Sequence, residues 1–61
     1  MTENEARARA RRNSEDGEPW MVWLDYSGND RIKASRYADY EAIATLADTK
    51  IALYEDGEQT A

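Results

Sequence analysis

The sequence predicts an α+β miniature: a small antiparallel sheet with one helix packed on it. Three observations predict it. Trp20–Tyr26 and Arg31–Ser35 are short runs that flank the polar tetrapeptide Ser27-Gly-Asn-Asp30, as the arms of a hairpin flank its turn. Tyr40, Ile43, Ala44 and Ala47 recur at helical spacing. Lys50-Ile-Ala-Leu-Tyr-Glu55 then alternates again, with Ile51 and Leu53 on one side. The order is ββαβ if this last segment is a strand, or ββα if it continues the helix. Both stay open, because Ile43, Ala47, Ile51 and Tyr54 also fit one helical stripe. Asp48-Thr49, poor helix formers, favour the strand. So does the extra pairing that a lone hairpin needs.

Each element has its own argument. Residues 1–18 contain no Val, Ile, Leu or aromatic side chain, so they read as a flexible, Arg-rich polar arm. Ala6–Arg12 has good helix propensity, and Asn13-Ser-Glu-Asp-Gly17 breaks it. Residues 19–56 form the compact domain, and 57–61 read as a tail. Pro19 sits just ahead of the first strand, where its missing N–H does no harm. In that strand Trp20, Val22, Leu24 and Tyr26 face one way and Met21, Trp23 and Asp25 the other, so both faces are largely apolar. A single-layer sheet should keep one face wet. Trp20 is therefore expected to anchor the core. Met21 and Trp23 are expected beneath the arm, beneath a second subunit, or in a partner-binding patch. Asp39 reads as the N-cap of a helix from about Tyr40 to Ala47.

Composition narrows the function. Sixty-one residues form one domain, and a chain this short buries only about 60% of its unfolded surface. There is no cysteine and no histidine, so disulfides, thiolate metal sites and the usual general acid–base group are missing. The expectation is a non-catalytic protein with no cofactor, no metal and no small-molecule substrate. No apolar run approaches the ~20 residues that span a bilayer, which points to a cytoplasmic protein. The net charge of −5 is unevenly spread. Residues 1–12 hold four arginines against two glutamates, +2; the rest hold eleven acids against four bases, −7. An acidic body favours basic partner surfaces. The candidate partner-binding residues are Met21, Trp23, Asp25, Asp30 and Asp39. Arg7, Arg9, Arg11 and Arg12 carry an alternative reading as an RNA- or DNA-binding arm. A third reading is a small structural or assembly subunit, homodimeric through Met21 and Trp23.

Pro19-Trp20, Asp25, Gly28 and Ile32-Lys33 give the chain a likeness. This hairpin resembles the final hairpin of the phage uracil-DNA glycosylase inhibitor, with its Pro-Trp, apolar strand, Asp-x-x-Gly turn and Ile-Lys return. The order hairpin, helix, strand is also similar to other small phage-encoded inhibitors of host nucleic-acid enzymes, one of which works as a dimer. The resemblance implies a short acidic protein that blocks a larger host enzyme in the host cytoplasm, by imitating DNA.

Overall fold

The computed structural model describes residues 1–26, 31–43 and 49–61. Its elements are α1 (Glu3–Asn13), a 3-10 turn (Ser14–Asp16), β1 (Trp20–Leu24), β2 (Ile32–Arg36), α2 (Tyr37–Ile43), β3 (Thr49–Glu55) and β4 (Glu58–Gln59). The strands form one antiparallel sheet in the order β2-β1-β3-β4. The α+β class stands, and Lys50–Glu55 is a strand. Neither described helix is long and apolar enough to cross a membrane.

Residues 1–18 are not a flexible arm. Thr2 caps α1 through a capping box: its hydroxyl accepts from the Glu5 N–H, and its own N–H donates to the Glu5 carboxylate. Glu3 and Glu5 in the first turn and Arg11 and Arg12 in the last complement the helix dipole. The face that docks is made of Ala6 and Ala10, both fully buried one turn apart. These methyls bury little area each, but they let the helix backbone come close to the sheet. There Ala6 and Ala10 join Val22, Ala52 and Tyr54 in one cluster, with Trp20, Ile32 and Ala34 packed against it.

The other face of the sheet has different cover. β2 and β3 flank β1 and run parallel to each other, and α2 lies on the connection between them. Tyr40 of α2 closes over Met21 and Trp23, with Tyr37 and Leu53 at the margin. Two apolar faces on β1 thus mean two helices, one above and one below. The helix also starts earlier than its stripe suggests: Tyr37 follows β2 directly, and its N–H bonds the Pro19 carbonyl at 2.9 Å. Asp39 therefore sits in the first helical turn rather than at the cap. Ala44, Ala47 and the expected turn Ser27–Asp30 lie outside the described residues.

The expected tail is the fourth strand. Asp56 and Gly57 both hold positive φ, 52° and 80°, the geometry of a two-residue Asp-Gly hairpin. Residues beyond it pair with β3, Tyr54 opposite Gln59 and Glu55 opposite Glu58. The Gly57 N–H then donates to the Ser14 hydroxyl at 3.0 Å, which itself donates to the Arg11 carbonyl. This buried serine ties the end of α1 to the β3–β4 turn. A Cβ at Gly57 would come within 3.1 Å of Glu15 Cγ, so close contact as well as φ calls for glycine.

Candidate protein-binding surface

The residues expected to meet a partner are mostly inside. Trp23 is 1% exposed and Met21 3%. The Trp23 ring meets Tyr40 edge-on at 5.2 Å, and its indole N–H donates to the Ser35 hydroxyl at 3.3 Å. Both are core side chains, which overturns their assignment to a partner surface. Asp25 is buried too. Its carboxylate accepts from Lys33 at 2.7 Å, and the same ammonium lies 5.7 Å from the centre of the Trp23 ring. Asp25 thus balances a cation within the sheet face instead of facing a groove. Asp30 lies outside the described residues. Asp39 is exposed on α2, apart from the others.

The four arginines do not form one basic stripe. Arg7 is held by the Tyr54 hydroxyl at 3.3 Å, the Gln59 side chain at 3.0 Å and Glu3 at 2.9 Å. The hydrogen bond to Tyr54, then that to Glu3, raises its pKa above the ordinary guanidinium value. Arg11 stacks over the Tyr54 ring at 5.6 Å. Arg9 and Arg12 are exposed and line a shallow groove with Glu5, Ala8 and Asn13. Helix periodicity thus turns Arg7 and Arg11 toward the sheet's last strands and leaves Arg9 and Arg12 outside.

What the fold gathers instead is acid, at one end. The 3-10 turn carries Glu15 and Asp16, with Glu18 just beyond; the β3–β4 turn carries Glu55, Asp56 and Glu58. The Ser14–Gly57 bond brings these two turns together. Glu55 and Glu58 stand directly opposite in the hairpin register, an arrangement that works against the hairpin. Glu18 has a weak ion pair with Arg36 at 3.5 Å. Among the described residues, Glu15, Asp16, Glu55, Asp56 and Glu58 form no ion pair. Nor do any three of the described carboxylates converge as metal ligands. Half-buried Trp20 borders this acidic end, lining an open polar groove with Arg12, Glu15, Asp16, Glu18 and Arg36. The sequence-level signal for this site was the Asp56-Gly57 dipeptide, which folds the C-terminal acids back onto the 3-10 turn.

No family model, curated protein or solved structure matches this chain.

Proposed function

We propose that this protein is a non-catalytic binding module that sets its acidic end, anchored by Trp20, into a basic groove of a larger protein. The partner chemistry that fits is a nucleic-acid enzyme, which the module would inhibit or modulate by occupying the groove in place of DNA. The observation that carries this reading is the carboxylate cluster itself. Glu15, Asp16, Asp56 and Glu58 are exposed and form no ion pair among the described residues, and Glu58 faces Glu55 across the hairpin. A fold selected for stability alone would put a base at one of these places. Trp20 adds a large, half-buried aromatic beside them, the type of side chain that dominates interface energies.

The test is displacement. Duplex DNA on resin is loaded with nucleic-acid enzymes from a bacterial lysate and challenged with the protein. The wild type should release an enzyme, and release should weaken as salt rises. A variant carrying Glu15→Gln, Asp16→Asn, Asp56→Asn and Glu58→Gln should lose the effect while keeping its melting temperature. Trp20→Ala should lose it through faster dissociation. Equal release by the neutralised variant, no release at all, or direct binding of DNA or RNA through Arg9 and Arg12 would overturn the reading.

A further inference from the structure

Among the described residues β2 is an edge of the sheet, and the hydrogen-bond pattern says which of its backbone groups point away from β1. The Asp25 N–H donates to the Arg31 carbonyl at 2.6 Å, and the Tyr37 N–H to the Pro19 carbonyl at 2.9 Å. Both pairs obey the β1–β2 register, in which Trp23 opposes Lys33 and Met21 opposes Ser35. In an antiparallel ladder hydrogen-bonded and non-hydrogen-bonded pairs alternate. The odd-numbered residues of β2 therefore point their backbone groups at β1. Ile32, Ala34 and Arg36 point their N–H groups away from it, at the open edge.

We infer that this edge is a self-association surface, pairing β2 with β2 of a second copy about a two-fold axis at Ala34. In that register each Ala34 exchanges hydrogen bonds with its twin, and each Ile32 with the other copy's Arg36. The outward N–H groups of the strand are then used at once, while the Arg36 carbonyl also serves as the cap of α2. The side chains agree. The residue on the axis is the smallest in the strand, Lys33 falls opposite Ser35, and Ile32 opposite Arg36, so no like charges meet. The usual device against edge pairing is a projecting lysine. Here Lys33 is bound instead to Asp25, over Trp23. The register joins two four-stranded sheets into one continuous sheet, with both α1 helices on one face. A two-fold interface of this kind closes on itself, which limits it to a dimer.

This surface is independent of the acidic end, and salt separates the two. Two copies at −5 each repel, so self-association should strengthen as salt rises, whereas docking of the acidic end on a basic groove should weaken. The experiment is sedimentation of the full chain over a concentration series, with amide hydrogen exchange read residue by residue. The inference expects a monomer–dimer equilibrium. The Ile32, Ala34 and Arg36 amides should gain protection as concentration rises, while Lys33 and Ser35 stay protected throughout. Ala34→Pro removes only an outward N–H, a change an edge strand tolerates. It should leave the monomer's thermal transition in place and weaken dimerisation by about tenfold to a hundredfold. A monomer at every concentration overturns the inference. So does a dimer whose Ile32, Ala34 and Arg36 amides exchange freely. If Ala34→Pro does not fold, the wild-type exchange pattern alone decides.

Discussion

The two faces of β1 are covered in opposite ways. On one, an eleven-residue helix with a full capping box buries only Ala6 and Ala10, with Arg7 and Arg11 reaching Tyr54 at the margin. On the other, a seven-residue helix supplies an aromatic ring for the tryptophan beneath it. The first face is held by close approach along a helix, the second by a few large contacts. Cover spread along a helix tolerates the loss of any one side chain better than cover concentrated in one ring. The α2 side is also left incomplete: an open groove lined by Met21, Tyr37, Ile51 and Leu53 lies beside β3.

The harshest way to break this comparison is to delete residues 1–13. Val22, Ala52 and Tyr54 would lose their cover. The cooperative thermal transition should disappear, as judged by calorimetry and near-ultraviolet circular dichroism. A transition surviving within a few degrees would return α1 to the status of an arm. Next is Trp23→Ala, expected to destabilise by about 3–5 kcal/mol in denaturant titration. Trp20→Ala should lose only about 1–2 kcal/mol, because part of that indole is already wet. A reversed order of the two tryptophans would mean that α2 does not close over Trp23. Gly57→Ala tests the joint between α1 and the last hairpin. At φ 80° a Cβ is strained, and a loss of about 1–2 kcal/mol is expected. The smallest effect should come from Thr2→Ala, about 1 kcal/mol for a lost cap. Thr2→Ser should recover most of it, and equal losses in both variants would show that the hydroxyl is not the cap.

Much of the sheet was legible because alternation and turn composition are local signals. They mark Trp20–Tyr26 and Arg31–Ser35 and, with a helical alternative open, Lys50–Glu55; the strands are Trp20–Leu24, Ile32–Arg36 and Thr49–Glu55. The helix propensity of Ala6–Arg12 is legible, but its docking is not, because a segment without bulky side chains offers hydropathy little to mark. Thr2 and Glu5 at capping-box spacing, with Ala6 and Ala10 one turn apart, were the signals that bulk obscured. Without α1 a single-layer sheet needs a wet face, and Trp20 and Trp23 exchange roles. The same omission moved the candidate site. Met21, Trp23 and Asp25 share a face by strand periodicity, but only the placement of α2 makes that face interior. Asp56-Gly57 is a strong hairpin signal, yet β4 beyond it is only two residues of polar sequence, so nothing in hydropathy marks it.

The hydroxyl of Ser14 joins groups 43 positions apart in the chain, and Arg7 reaches Gln59 across 52. Neither bond can form until almost the whole polypeptide has been threaded into place. The entropy of closing such a long loop falls due before either bond forms, although α1 can already dock on Val22, Ile32 and Ala34 of the first hairpin. The β1–β2 hairpin closes a much shorter loop and is free to form first, with β3 adding to it. The ties from Ser14 and Arg7 to the hairpin at the other end of the sheet therefore lock last. In refolding kinetics, Gly57→Ala should accelerate unfolding and leave the folding rate nearly unchanged, with a φ-value near zero. Val22→Ala, at the centre of the sheet, should slow folding.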